Sequence, residues 1–374
     1  MKYIINKIYD IKPWVTIHYL GKLPFMTNIY QYFFYKFSGP KSVKIHINSQ
    51  CNFNCIYCYS DPNRKSLSTI EWLNFIETLD RKNINTIEIS GGEPFLDKGL
   101  YKILKKCKKK KYQITIYTNG TFVNMDWIKK LKHLKAKIII SIKYDHRISY
   151  KELTRTNKFD KVENNIKNLI KNNIHVVCFI SVTNKSFPFI KKIINKAIDL
   201  GAFPVLERFI PVKNDTINNK LIITKVEWSL CLQLIKKVYK KYEKIIDGVN
   251  RIQGSICSCY LTQFSVMQEG SILPCQFLPL SQRLGNIKKE PIDIIWNRFM
   301  KKRKKWIKIP KSCQNCNNKL LCKGGCKSST YFKYKKYDKK DPLCSNNIPS
   351  DYGLCGFIVI HKIKSHRNNL LCKI

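Results

Sequence analysis

From residue 43 to about residue 245 the sequence alternates short β-branched runs with longer amphipathic stretches, and this alternation constrains the fold more than any other feature. A strand followed by a helix, repeated along the chain, predicts parallel strands joined by crossover helices. Six such units fit into this range, which predicts an α/β fold whose sheet is closed or curved. The predicted strands cover residues 43–47, 86–89, 114–117, 138–142, 176–182 and 203–206.

Three of the predicted helices have a recognisable first turn. A capping residue followed three positions later by glutamate marks a helix N-terminus, because each side chain can bond the other residue's backbone N–H. The three pairs are Ser68 with Glu71, Asp160 with Glu163, and Thr224 with Glu227.

The pattern changes at about residue 248. At 374 residues the chain exceeds the length at which a single core stops growing, so two domains are expected. The segment after residue 248 has short pieces punctuated by Cys, Gly and Pro, so bound metal clusters would have to stabilise it. The predicted parts are an aromatic and basic extension at 1–40, a barrel at 41–247, a small cysteine-rich domain at 248–345 and a tail at 346–374.

The net charge is +44, from 69 Lys and Arg against 25 Asp and Glu. A dense positive potential normally suggests a polyanionic partner. Here the basic residues are spread over every segment, including runs at 108–111 and 301–305, which favours a solvated surface. We therefore do not expect a nucleic-acid partner.

The chain contains sixteen cysteines. In a short secreted protein they would predict a disulfide scaffold, but this chain is long and its first residues mix charges among the apolar ones. No stretch reaches the roughly 18 uncharged apolar residues needed to span a bilayer. We expect a cytoplasmic protein without a transmembrane segment, whose thiolates serve as metal ligands.

Three of these cysteines follow the first predicted strand. Cys51, Cys55 and Cys58 have the spacing C-x3-C-x2-C, which lets one loop bind three corners of an iron–sulfur cube. Three ligands leave one iron open for a small chelating molecule. The alternatives are a zinc site or three unrelated buried cysteines.

A glycine pair follows the second predicted strand in the segment Ser90-Gly91-Gly92-Glu93-Pro94. Two glycines allow a sharp turn and a close approach to a ligand. Glu93 can accept hydrogen bonds from an ammonium group. The pair is weak evidence alone and strong evidence together with the three cysteines.

These residues resemble the radical S-adenosylmethionine (radical SAM) superfamily over roughly residues 43 to 210. The resemblance implies that Cys51, Cys55 and Cys58 hold a 4Fe-4S cluster, that the backbone of Tyr57 lies near the adenine of S-adenosyl-L-methionine, and that the methionine ammonium meets Gly91, Gly92 and Glu93. It also implies a partial (β/α)6, TIM-like barrel with its site at the carboxyl ends of the strands. An external one-electron reductant of the ferredoxin or flavodoxin type would supply the electron.

Other strand ends become candidates by position in the family. Asn119 follows the third strand, Ser141 ends the fourth, and Arg155 lies downstream of it. Relatives often carry Ser-x-Asp-Gly after the fourth strand, with a serine and a downstream arginine near the cofactor. Here Lys143 and Tyr144 replace the aspartate and the glycine, so Ser141 and Arg155 are candidate cofactor contacts by position alone.

A second array of seven cysteines follows in the C-terminal region, in the order Cys259, Cys275, Cys313, Cys316, Cys322, Cys326 and Cys344. Its order and spacings resemble those of the SPASM domain, a carrier of auxiliary iron–sulfur clusters. The resemblance implies two further 4Fe-4S clusters, one bound by Cys313, Cys316, Cys322 and Cys344 and the other by Cys259, Cys275 and Cys326. Cys257 is a candidate for the eighth ligand. Without it, the nearer auxiliary cluster would keep an open iron. A zinc knuckle is the competing interpretation of the short C-x2-C and C-x3-C spacings.

The resemblance implies an oxidoreductase that reductively cleaves S-adenosylmethionine to a 5'-deoxyadenosyl radical, which removes hydrogen from a substrate. A peptide or protein side chain, and thus a maturase, is the first expectation. The alternatives are radical oxidation or decarboxylation of a tetrapyrrole or other cofactor precursor, and a non-enzymatic iron–sulfur electron carrier or zinc-binding module. The last alternative leaves the three-cysteine loop and Gly91-Gly92-Glu93 unexplained.

Overall fold

The computed structural model of the chain describes residues 40–79, 84–134, 138–212, 215–242, 259–317 and 319–344. The predicted extension at 1–40, apart from Pro40, and the predicted tail at 346–374 lie outside these ranges, as does Cys257. The boundaries assigned to the four parts of the chain stay predictions.

Six parallel strands form the first part of the sheet, and each pairs with the next along the chain. They confirm the six predicted strand segments and their parallel arrangement. The strands are β1 Ser42–His46, β2 Thr86–Ser90, β3 Gln113–Thr118, β4 Ile138–Lys143, β5 His175–Val182 and β6 Phe203–Arg208.

Helices follow each of these strands, as the alternation predicts. They are α1 Thr69–Thr78, α2 Leu100–Lys109, α3 Met125–Leu134, α4 Arg147–Thr154, α5 Phe159–Lys171, α6 Ile190–Asp199, α7 Thr216–Asn219 and α8 Lys225–Tyr242. None of the described helices is both long enough and apolar enough to cross a membrane.

Two of the three predicted helix caps are confirmed. Ser68 caps α1 with Glu71 in a reciprocal capping box, and Thr224 and Glu227 exchange the same two bonds at α8. The prediction for Asp160 is wrong, because α5 begins at Phe159 and Asp160 lies inside its first turn. The Asp160 carboxylate bonds the guanidinium of Arg147, which removes it from a capping role.

The two faces of the sheet differ in chemistry. Isoleucines on alternate positions, such as Ile45 of β1 and Ile89 of β2, are fully buried in the main apolar core. The other positions are polar: Lys44 Nζ lies 3.2 Å from Glu88 Oε2 and 3.8 Å from the centre of the Tyr117 ring. Strands covered on both faces are expected in parallel α/β sheets, and here one covered face is charged.

The sheet continues into the cysteine-rich region. Strand β7 Gln263–Val266 pairs in parallel with β1, and β8 Ser271–Leu273 and β9 Gly285–Asn286 add antiparallel strands beyond it. The resulting nine-stranded sheet has the order β6-β5-β4-β3-β2-β1-β7-β8-β9. The helices α9 Ile292–Trp306, α10 Lys319–Cys322 and α11 Lys327–Tyr334 complete the region. The cysteine-rich region therefore begins as an extension of the barrel sheet.

Candidate active site

The loop after β1 holds Cys51, Cys55 and Cys58 at the carboxyl edge of the sheet. The Cys51 side chain is exposed, and the other two are half-buried. The Cys58 N–H donates to Cys55 O at 3.1 Å, and the Ile56 N–H donates to Leu153 O of α4 at 2.9 Å. Burial, with smaller contributions from the nearby Cys58 and Cys51 thiols, raises the pKa of the Cys55 thiol to about 12. One anchored loop therefore brings the three thiols together.

This arrangement can be compared with the needs of different metal centres. Among the described residues, no three Cys, His, Asp or Glu side chains converge as the ligands of a single ion would. A 4Fe-4S cluster needs another arrangement, because each cysteine binds a different iron atom. Three thiols spaced along one loop fit a cluster of that kind.

The segment Gly91–Glu93 docks directly on the backbone of the cysteine loop. The Gly92 N–H donates to Asn48 O at 3.0 Å, and the Glu93 N–H donates to Gln50 O at 2.7 Å. A Cβ atom on Gly92 would lie 2.5 Å from the Gln50 carbonyl carbon, and Gly91 has a φ of +143°. Only glycine fits such a close approach of two main chains.

Glu93 is fully buried beneath this junction. Its carboxylate accepts hydrogen bonds from Thr118 Oγ1 at 2.7 Å, the Asn119 N–H at 2.8 Å and the Phe95 N–H at 3.1 Å. Burial nevertheless raises the pKa of Glu93 to about 7, because the loss of water outweighs the three donors. A ligand ammonium would favour the charged form of this carboxyl group.

Asn119 links the carboxylate to the cysteine loop. Its backbone bonds Glu93, and its side-chain Nδ2 donates to Asn52 Oδ1 at 2.8 Å and lies 3.9 Å from Cys51 Sγ. The structure therefore brings together the three cysteines, the glycine segment and Asn119, which are far apart in the sequence.

The remaining predicted cofactor contacts lie towards β4. The Tyr57 ring centre is 5.1 Å from Lys143 Nζ. Ser141 pairs with Tyr117 in the ladder between β3 and β4. Arg155 is the exposed, left-handed C-cap of α4, with a φ of 56°. The cofactor contacts of these three residues stay predictions.

Sequence reasoning missed a polar cluster on the other half of the barrel mouth. Lys143 Nζ donates to Ser181 Oγ and lies 3.5 Å from Glu207 Oε2, while Ser181 Oγ donates to the same carboxylate oxygen at 3.4 Å. The side chains come from β4, β5 and β6, which pair in register. The signal available in the sequence was a polar residue near the end of each strand.

Electrostatic contacts relate five of the seven described cysteines of the second array. Burial raises the pKa of Cys344, and the nearby Cys313 and Cys316 thiols contribute to the increase. Cys259 and Cys275 lie close enough to Tyr260 to add to the rise in the pKa of its hydroxyl, which burial dominates. Cys313, Cys316 and Cys344 thus lie near one another, and Cys259 and Cys275 both lie near Tyr260, while the ligand sets stay a prediction.

Cys322 and Cys326 lie at the two ends of one tight turn. Cys322 ends α10, and Cys326 caps the N-terminus of α11. The Gly325 N–H donates to Cys322 O at 2.9 Å, and the Ser329 N–H lies 3.5 Å from Cys326 Sγ. Their assignment to different clusters stays a prediction.

Two family models match the chain. The Radical SAM superfamily model covers residues 45–185, which include the cysteine loop and Glu93, and an iron–sulfur cluster-binding domain model, SPASM, covers residues 257–317.

Characterised relatives match over most of the chain. The antilisterial bacteriocin subtilosin biosynthesis protein AlbA of Bacillus subtilis is 24% identical over 83% of this chain and 72% of its own length. The cysteine-type anaerobic sulfatase-maturating enzyme of Clostridium novyi is 23% identical over 75% of this chain and 86% of its own length.

The fold is also similar to a solved structure, that of Streptococcus suis SuiB bound to precursor peptide SuiA. The two share a TM-score of 0.68 at 17% identity, over 89% of this chain and 81% of SuiB. The matched models, together with the partial barrel of parallel strands, confirm the fold predicted from the sequence. The chain is a radical SAM enzyme with a C-terminal SPASM domain, and its cofactors are 4Fe-4S clusters and S-adenosylmethionine.

Proposed function

We propose that this enzyme is a maturase that modifies a side chain of a peptide or protein by radical chemistry. The observation that carries the proposal is the combination of a three-thiol loop docked on a buried carboxylate with a cysteine-rich region built onto the same sheet. Support also comes from relatives whose names describe bacteriocin biosynthesis and sulfatase maturation, and from the peptide-bound SuiB structure.

In this proposal Cys51, Cys55 and Cys58 would hold one 4Fe-4S cluster and leave one of its irons available to S-adenosylmethionine. When bound, the cluster would give one electron to the sulfonium, whose cleavage to methionine and a 5'-deoxyadenosyl radical would supply the group that removes a hydrogen atom from the substrate. The Glu93 carboxylate would accept hydrogen bonds from the methionine ammonium. Gly92 lets the segment Gly91–Glu93 lie directly against the cysteine loop. Tyr57, Ser141 and Arg155 remain candidates for the rest of the cofactor.

The chain itself contributes position and charge. Asn119 keeps Glu93 and the cysteine loop in a fixed relation through its three bonds. The cluster of Lys143, Ser181 and Glu207 lies at the carboxyl ends of β4 to β6, and in this proposal it forms the substrate side of the barrel mouth.

The second array holds the auxiliary clusters in this proposal. Cys313, Cys316, Cys322 and Cys344 bind one cluster, and Cys259, Cys275 and Cys326 bind the other, with Cys257 as a candidate eighth ligand. An external one-electron reductant of the ferredoxin or flavodoxin type would deliver the electron to the cluster of Cys51, Cys55 and Cys58. A reducing cytoplasm suits this chemistry, and every described cysteine is present as a thiol and not as half of a disulfide.

The proposal is tested by anaerobic reconstitution with iron and sulfide, followed by incubation with S-adenosylmethionine, dithionite and precursor peptides encoded near the gene. We expect 5'-deoxyadenosine to form and one peptide to lose hydrogen mass, as seen by mass spectrometry. If tetrapyrrole carboxylates are consumed and no peptide is modified, the tetrapyrrole alternative replaces this proposal.

The binding of S-adenosylmethionine should weaken as the pH falls through about 7. Burial raises the pKa of Glu93 to about 7, so the acid form, which cannot pair with an ammonium, dominates below that value. One pH unit below the pKa only about a tenth of the sites are charged, so the apparent Kd should rise roughly tenfold. Calorimetry between pH 5.5 and 7.5 measures this dependence.

The matched control for this prediction is Glu93→Gln, which has no titratable group at the site. Its affinity should be weaker than that of the wild-type protein and nearly independent of pH over the same interval. A wild-type affinity that stays constant from pH 7.5 to 5.5 would contradict the role assigned to Glu93.

A further inference from the structure

A buried ion pair joins the last barrel strand to the cysteine-rich region. Arg208, the final residue of β6, donates from Nη1 to Asp341 Oδ1 at 2.9 Å and from Nη2 to Asp341 Oδ2 at 2.7 Å. The side chains are 1% and 0% exposed. The two residues are 133 positions apart, so the pair fixes one region of the chain on the other.

The Asp341 carboxylate has two further donors, both from the main chain. The Cys326 N–H donates to Oδ2 at 2.7 Å, and the Leu343 N–H donates to Oδ1 at 2.9 Å. The Asp341 N–H donates to Gly324 O at 3.0 Å, and Asp341 O accepts a hydrogen bond from the Cys344 N–H at 3.1 Å. One aspartate is therefore hydrogen-bonded to Cys326 and to Cys344, which are proposed ligands of different clusters.

The end of β6 presents neighbouring side chains to two different sites. Successive residues of a strand point to opposite faces. Glu207 meets Lys143 and Ser181 at the barrel mouth, and Arg208 meets Asp341. The strand end thus connects the proposed substrate side to the backbone of the auxiliary cluster ligands.

Stability alone is a poor explanation for this pair. Removing two charges from water costs free energy, and apolar side chains of similar size often stabilise a protein equally well or better. Charge and hydrogen bonds near an iron–sulfur cluster, by contrast, set its reduction potential. The position of Asp341 beside two cysteine N–H groups points to a role of this second kind.

We infer that Asp341 is a positioning residue for the auxiliary clusters, and that its pair with Arg208 sets their reduction potentials relative to the radical site. The inference rests on the proposed assignment of Cys326 and Cys344 as cluster ligands. A negative charge disfavours the reduced, more negative cluster, and a positive charge favours it. The two partners therefore act on the potential in opposite directions.

The test is an EPR-monitored redox titration of the reconstituted holoenzyme and two variants. Asp341→Asn removes a negative charge and should raise the midpoint potential of an auxiliary cluster. Arg208→Gln removes a positive charge and should lower it. Iron and sulfide analysis accompanies each titration. Opposite shifts are a signature that general loosening of the structure would not produce.

Glu163→Gln is the matched control, because it also removes a negative charge from a hydrogen-bonded carboxylate, which accepts from Tyr144 Oη at 2.6 Å. Glu163 lies on α5 of the barrel. The variant should lower the melting temperature and leave the auxiliary potentials unchanged. The double variant Arg208→Met with Asp341→Leu provides a second test if the single variants do not fold, since apolar replacement of both partners commonly restores stability.

The double variant keeps the net charge but removes the acceptor of the Cys326 N–H, so its auxiliary EPR signals should differ from those of the wild-type protein. Shifts of the two single variants in the same direction, or wild-type signals in the folded double variant, would overturn the inference. A wild-type protein that binds only the iron of one cluster would instead refute the proposed ligand sets.

Discussion

Simultaneous replacement of Cys51, Cys55 and Cys58 by alanine should abolish cleavage of S-adenosylmethionine and remove about a third of the bound iron. Three 4Fe-4S clusters correspond to about twelve iron atoms per chain, of which this loop would hold about four. The auxiliary sites draw their ligands from a region built on β7 to β9 and the helices that follow, so they should fill independently. Iron analysis and chromatographic detection of 5'-deoxyadenosine measure the two effects.

A second triple variant controls for the loss of three thiols in general. Cys107, Cys178 and Cys231 are fully buried among apolar neighbours, and we interpret them as core residues. Their replacement by alanine should lower stability through small cavities but leave iron content and cofactor cleavage intact. The assignment of the catalytic loop would be wrong if the two triple variants lost the same amount of iron or the same activity.

Much of the barrel could be predicted from the sequence because its signals are local and repeated. Each strand is a β-branched run bounded by an amphipathic helix, and two of three capping boxes are present as predicted. The prediction failed at Asp160 because α5 begins one residue earlier, at Phe159, so that Asp160 lies inside the first turn and cannot cap it. Strands β8 and β9 contain only three and two residues, so no periodicity marks them, and their continuation of the barrel sheet could not be predicted.

The residues of the site likewise fall into those that a local sequence pattern predicts and those that depend on contacts between distant parts of the chain. The cysteine loop and Gly91-Gly92-Glu93 carry short-range spacings, and the structure places them in contact. The cluster of Lys143, Ser181 and Glu207 depends instead on the register of three strands, because a shift by one residue would turn each side chain to the other face. The contact between Arg208 and Asp341 spans 133 residues, and no local pattern predicts it.

Replacing Gly92 by alanine should separate cluster binding from cofactor binding. An added Cβ would lie 2.5 Å from the Gln50 carbonyl carbon, 2.7 Å from Ser49 O and closer still to Gln50 O, and backbone atoms at these distances cannot move aside without shifting the loop. The displaced segment carries Glu93, whose N–H bonds Gln50 O. A misplacement of about 1 Å typically costs about a hundredfold in rate, so cofactor cleavage should fall by at least that factor.

The iron content of the Gly92→Ala protein should fall by much less than the cleavage rate, because the cysteine side chains can rotate to follow a small shift of the loop, whereas the Glu93 carboxylate moves with its own backbone. Gly201→Ala is the matched control: Gly201 has a φ of +80°, so the substitution should cost about 1 kcal/mol of stability, but the residue lies beside Ile170, which is not part of the site. The rate of cofactor cleavage, the cofactor affinity from calorimetry and the melting temperature are then compared between the two variants. If Gly92→Ala and Gly201→Ala lose equal stability and both retain wild-type affinity, the close contact at Gly92 has no role in seating the cofactor.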